Sequence, residues 1–114
     1  MQRNVFTMKL QPGCAVEYKK RHQEIWPELQ ALLRDAGLIE YAVYLDELTG
    51  TLFAVQRLAD KNTVHELPGH EVTRRWWAHM AELIDTNVDN SPLCKPLEEV
   101  FHLEFGPDQG PTAE

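Results

Sequence analysis

Tyr18 and His22 stand four residues apart at the head of the run Tyr-Lys-Lys-Arg-His-Gln-Glu-Ile-Trp-Pro-Glu, residues 18–28. On a helix this spacing puts a phenol and an imidazole on one face, one turn apart. A phenol both donates and accepts hydrogen bonds, and an imidazole with an unperturbed pKa of about 6.5 exchanges protons near neutral pH. Together they suit proton movement on a small polar ligand. A lone helix histidine, however, more often packs its ring and makes one hydrogen bond than performs chemistry. Trp26, a further turn along, favours a binding role, because phenol and indole surfaces often hold a sugar or small polar ring. Ile25, Trp26, Leu29 and Leu33 continue the line as a stripe that must be buried.

Trp76 and Trp77 are the second candidates. Adjacent helix residues point about 100° apart, so one ring can pack while the other reaches a cavity edge. The competing reading makes both of them core. Tyr41 is the third candidate. It alternates with Val43 and Leu45 onto one sheet face, and if that face lines a cavity its hydroxyl needs a partner there. His65, His70, His79 and His102 have no metal-ligand spacing: no His-x-x-x-His pair lies on a helical stretch, and Pro68-Gly69 separates His65 from His70. No metal is therefore expected. Phosphate-loop and Gly-x-Ser-x-Gly patterns are also missing, so nucleotide and serine-nucleophile chemistry have no support.

The elements that must position these groups alternate in type. Arg3–Leu10 alternates as a strand with Phe6, Met8 and Leu10 on one face. After Pro12-Gly13 a helical pattern runs to Ala36 and stops at Gly37, with Pro27 imposing a kink or a division into two short helices near Gln23–Trp26. Ile39–Asp46 and Thr51–Leu58 read as strands joined through Leu48-Thr49-Gly50, hence a hairpin. Asp60 is the expected cap of a helical segment carrying Val64 and Leu67. A longer helix is expected from His70 to Asp85, then a loop over Asn87–Pro92, then a strand from Leu97 to Phe105. Residues 1–105 thus form one α+β domain in the order β, α, β, β, α, β, the ferredoxin-like pattern, and 106–114 are expected to be a disordered tail. Helices in this pattern cover one face of the sheet. The other face, expected to carry Val5, Tyr41, Val43 and Val100, needs a cover, and a second copy of the sheet supplies one, which implies a homodimer.

A chain of 114 residues is one domain's worth, and 43% hydrophobic with 25% charged residues is ordinary for a globular protein. A formal charge of −7 argues against nucleic acid or an anionic membrane as partner, since both need a basic footprint. No apolar run long enough to span a bilayer and no secretory leader is evident, which points to the cytoplasm. Cys14 and Cys94 are expected to be free thiols.

Four blocks in register carry a resemblance: Tyr-x-x-x-His followed by Ile-Trp-Pro-Glu; Tyr-Ala-Val-Tyr-Leu-Asp; Arg-Trp-Trp; and Asp-Asn-Ser-Pro with a final Glu-Val-Phe. Over residues 3–105 the chain resembles the L-rhamnose mutarotase family. The resemblance implies a dimeric α/β barrel and an isomerase acting on the anomeric carbon of a sugar, with no metal or organic cofactor. It makes His22 the proton donor and makes Tyr18, Tyr41, Trp76 and Trp77 substrate contacts. The chain departs from the family pattern at Val88, where proline is usual, at His102, where tyrosine is common, and in the residues after Phe105. Similar barrels also serve as cofactor-free monooxygenases or isomerases on aromatic substrates, or as non-catalytic small-molecule binding modules, and fold alone does not separate these functions.

Overall fold

The computed structural model describes residues 1–106, so all of the expected tail except Gly106 lies outside the described residues. The elements are β1 (Gln2–Lys9), α1 (Ala15–Gln23), α2 (Pro27–Asp35), β2 (Leu38–Asp46), β3 (Thr51–Leu58), a short 3-10 helix (Val64–Gly69), α3 (Glu71–Met80) and β4 (Lys95–Pro96). The sheet order is β2-β3-β1-β4 with antiparallel neighbours. This is the strand order of the ferredoxin-like fold, as expected.

Pro27 divides the first helical stretch in two. It occupies the first position of α2, where a missing N–H removes no helical bond, and it holds Trp26 in an extended conformation (φ −64°, ψ 134°). The second helix ends with Gly37 at φ +102°, as the sequence suggests. Gly50, at φ +72°, closes the β2–β3 turn by donating to the Asp46 carbonyl at 2.8 Å. One face of the sheet presents Met8, Leu10, Leu52 and Ala54, which form the core with Met80, Leu83 and Ile84.

Several expectations need correction. The stretch Leu97–Phe105 is not a strand. The final strand is only Lys95–Pro96, opposite Thr7 and Phe6, followed by a bond from the Leu97 N–H to the Val5 carbonyl at 2.9 Å. Pro96 has no N–H to extend the ladder, and the following residues leave the sheet with their apolar side chains in solvent: Val100, Phe101 and Phe105 are 87%, 77% and 90% exposed. The third α-helix stops at Met80 rather than Asp85 because Leu83 and Asp85 bond the end of β1, accepting from Gln11 and donating to Lys9. Asp60 caps nothing: it pairs with the N-terminal ammonium, and Asn62 accepts from the N–H of Val64 instead.

Tyr41 and Val43 lie on the helix-covered face, not the open one. Val43 pairs with the fully buried Ala54 and packs on the core, and Tyr41 follows it at the two-residue strand repeat. The open face carries Val5, Val55 and Ala42 in one cross-strand row and Thr7, Phe53 and Tyr44 in the next.

Leu52 is 1% exposed at the centre of the core, so Leu52→Ala is expected to lower unfolding free energy by about 2–5 kcal/mol in a urea titration. A methyl at Gly37 would stand 2.6 Å from Cβ of Asn62 on a backbone at positive φ, so Gly37→Ala is also destabilising. Val16→Ala, at an 83% exposed position, shifts stability by less than about 0.5 kcal/mol.

Candidate active site

The helical turn of α1 does what its spacing implies. The rings of Tyr18 and His22 stack at 4.3 Å between centroids, tilted by 32°. The His22 ring then meets Trp76 edge-on at 5.6 Å and 89°. Trp76 is the hub of the group: Trp26 meets it edge-on at 5.2 Å, and His79 packs at 5.6 Å. His79 also lies 5.5 Å from Trp26. Perpendicular aromatic pairs set the electropositive edge of one ring against the electron-rich face of the other, so these contacts orient as well as bury.

Neighbouring side chains hold the two helices in register. Arg21, beside His22, bonds Glu17 on its own helix at 2.8 Å and reaches the His79 carbonyl and Glu82 beyond α3. Arg75 lies 5.7 Å above the Trp26 ring and pairs with Glu28 at 3.2 Å. The first of these ties the histidine's helix to the C-terminal end of the helix bearing Trp76. The second secures the start of α2.

His22 Nδ1 lies 3.0 Å from the Tyr18 carbonyl. A carbonyl only accepts, so Nδ1 carries the proton and donates, and Nε2 is left as the proton-exchanging nitrogen. Burial disfavours the imidazolium and holds the pKa of His22 below its usual value, and the bond to the Tyr18 carbonyl only partly opposes this. Burial also raises the Tyr18 phenol far above the usual tyrosine range, with Tyr41 and Cys94 adding to the shift. Tyr41 is pushed up to about 12, mainly by desolvation, while a hydrogen bond from Gln56 pulls the other way. Tyr41 as a residue is 42% exposed, and its phenol is nonetheless desolvated by the protein around it. Both tyrosines therefore remain neutral hydrogen-bonding groups at ordinary pH, and His22, its pKa lowered, is the proton-exchanging member of the set.

The structure therefore brings Tyr18, His22 and Trp76 into direct contact and places Tyr41 on the sheet face that the helices cover. Trp77 is half-buried on α3, and among the described residues it belongs to none of the ring pairs of this cluster. Sequence spacing singled out His79 only as a weak metal ligand. Its place three residues after Trp76, one turn along a helix, was the available sign of its ring contact. No local pattern foretold the reach of Arg21 to α3, nor Cys94 close to the two phenols. Among the described residues no group of three His, Cys, Asp or Glu side chains could hold a metal ion. Both cysteines are free thiols.

A concavity of about 470 Å³ lies elsewhere, between the loop after β1 and the β2–β3 hairpin, lined by Lys9, Gln11, Glu47 and Asp85 among others. A smaller one of about 280 Å³ touches Tyr41 and Arg34. Neither includes His22, so chemistry rather than volume marks the site.

A family model described as L-rhamnose mutarotase matches residues 3–103. The chain belongs to the L-rhamnose mutarotase family. It is 50% identical over 102 residues to an L-rhamnose mutarotase of Flavobacterium johnsoniae, covering 90% of this chain and 95% of that one. It is likewise 50% identical over 103 residues to one from a Jannaschia species, covering 90% and 99%. The crystal structure of an L-rhamnose mutarotase from Formosa agariphila superposes with a TM-score of 0.85 at 44% identity, covering 91% of this chain and all of that one. A Pseudomonas aeruginosa protein of 14% identity shares the fold alone, at a TM-score of 0.54.

Two titrations check the electrostatics of the site. In NMR spectra the imidazole of His22 is expected to titrate below the usual histidine value of about 6.5. Ultraviolet titration of the phenols is expected to leave Tyr18 and Tyr41 neutral at a pH where a free tyrosine, of pKa about 10, has begun to ionise.

Proposed function

We propose that the protein is an L-rhamnose mutarotase, interconverting the α and β anomers of L-rhamnose by general acid and base catalysis. The observation that carries the reading is the stack of Tyr18 on His22 against the edge of Trp76, in a chain of this family. Anomer exchange needs a proton removed from the anomeric hydroxyl and one delivered to the ring oxygen. The ring opens to the aldehyde, the bond to the carbonyl carbon rotates, and reclosure on the other face gives the second anomer.

His22 is the acid. Its Nδ1 stays bonded to the Tyr18 carbonyl in both protonation states, so the imidazolium gives its proton from Nε2 to the ring oxygen. The lowered pKa makes this imidazolium a stronger acid while reducing its population at neutral pH. A water molecule takes the hydroxyl proton, since Tyr18 and Tyr41 keep their own. Tyr18 and Tyr41 orient sugar hydroxyls, and Trp76 and Trp77 offer apolar walls to the C–H face and methyl group of the sugar. Every step uses side chains or water, so the scheme calls on neither metal nor organic cofactor.

The acting form is a cytoplasmic homodimer. No helix among the described residues is long and apolar enough to cross a membrane. The open sheet face, with Phe53 38% and Tyr44 64% exposed, calls for an apolar cover. The arm after β4, with Val100, Phe101, Leu103 and Phe105 in solvent, is suited to lie against a second copy.

Saturation-transfer NMR on L-rhamnose tests the activity: the purified protein is expected to accelerate anomer exchange, and no acceleration by folded protein would sink the reading. His22→Ala is expected to slow exchange by about 10²- to 10⁴-fold. With His22 as acid, the rate falls as pH rises through the lowered pKa of its imidazole, because the protonated fraction is lost there. A rate that falls instead on the acid side makes His22 the base. Sedimentation at micromolar concentration is expected to give twice the chain mass of 13.2 kDa, and a clean monomer would contradict the dimer.

A further inference from the structure

On the helix-covered face of the sheet one cross-strand row is polar on all three of the strands β1, β3 and β2. The rows Met8–Leu52–Leu45 and Phe6–Ala54–Val43 are followed by Asn4–Gln56–Tyr41, and then by Leu58 between Gln2 and Leu38. Polar groups thus cross three adjacent strands at one level, with buried Ala54 on one side and buried Leu58 on the other. Gln56 is the middle member and has two neighbours to satisfy. Asn4 Nδ2 donates to Gln56 Oε1 at 3.0 Å. An amide whose oxygen is engaged on one side presents its NH₂ to the other. The strand on that side brings Tyr41.

We infer that Asn4 and Gln56 are positioning residues that set the hydrogen-bond polarity of Tyr41: Asn4 donates to Gln56, Gln56 donates to the phenolic oxygen, and the Tyr41 hydroxyl proton is left to be donated to a substrate oxygen. This rests on the reading of Tyr41 as a substrate contact. In the observed arrangement both amides point the same way along the row, and reversing Gln56 alone would set its NH₂ against the NH₂ of Asn4. The upward shift of the Tyr41 phenol accords with a hydroxyl that keeps its proton to give. Asn4 does not act on substrate. It fixes the orientation of an amide that would otherwise turn freely.

Replacing the donor NH₂ by an acceptor at either position reverses the row with almost no change in size. In Asn4→Asp the carboxylate can only accept, so the Gln56 NH₂ turns toward it and its oxygen turns toward Tyr41, which then donates inward. Asn4 is exposed, so the charge is tolerated in the fold. In Gln56→Glu the carboxylate accepts from both neighbours with the same consequence for Tyr41. Each variant is expected to raise KM for L-rhamnose about three- to tenfold, the range for one lost hydrogen bond, with kcat within about twofold of wild type.

The deciding comparison is with Tyr41→Phe. Asn4→Asp is expected to add nothing to KM in the Tyr41→Phe background, because its effect is carried by the phenol. Wild-type KM in both Asn4→Asp and Gln56→Glu, or an equal rise with and without the Tyr41 hydroxyl, overturns the inference. A Tyr41→Phe protein with wild-type KM removes Tyr41 as a contact and the inference with it, while leaving the mutarotase reading intact. Failure of the wild-type protein to accelerate exchange overturns the mutarotase reading and the inference together. Thermal melts separate these effects from loss of fold, since a merely structural role lowers the melting temperature without depending on the Tyr41 hydroxyl.

Discussion

The edge-on contact between His22 and Trp76 is the interaction on which the rest of the site depends, because it joins residues from two helices that share no backbone hydrogen bond. A ring that must present one nitrogen to a ligand has to be fixed about both side-chain torsions. The bond from Nδ1 to the Tyr18 carbonyl fixes one edge of the imidazole, and Trp76 blocks rotation of the body. Trp26 and His79 then hold Trp76 from its other sides. Arg21 keeps α1 and the end of α3 from sliding apart. Such surface ion pairs contribute little to stability on their own, and their value here is geometric.

The same logic explains the proline between the two helices. A residue before proline is held out of the helical region, so Pro27 dictates the extended backbone at Trp26. One uninterrupted helix would carry Trp26 a turn beyond His22 on the same face. The break lets the indole meet Trp76 perpendicularly instead. The sheet contributes the opposite wall, where the apolar rows of the core give way to a polar row at the level of Tyr41. The apolar rows thus give way to polar side chains within one two-residue step of β3.

Much of this was legible in the sequence, for local reasons. Four-residue spacing put Tyr18 over His22, two-residue alternation gave β1, β2 and β3, and Gly37 and Pro27 marked real helix boundaries. Errors arose where long-range bonds decided the outcome. Alternation in 97–105 looked like a strand, but a strand exists only where an edge accepts it, and this chain provides a partner only as far as Leu97. Helical periodicity continued past Met80, yet bonds to the end of β1 drew the backbone away. The side to which Tyr41 points was ambiguous in the same way. Alternation tells which residues share a face, and only the docking of the helices tells which face is covered.

The position of the exposed arm along the chain also sets an order of events. Tyr18, His22, Tyr41, Trp76 and Trp77 all precede residue 97, as do the core residues from Met8 to Ile84. During synthesis the aromatic cluster and the sheet that backs it are therefore made before the arm. The apolar surface of the arm thus follows every core residue in order of synthesis. A segment with the same alternation near the N-terminus would have waited in solvent through most of translation.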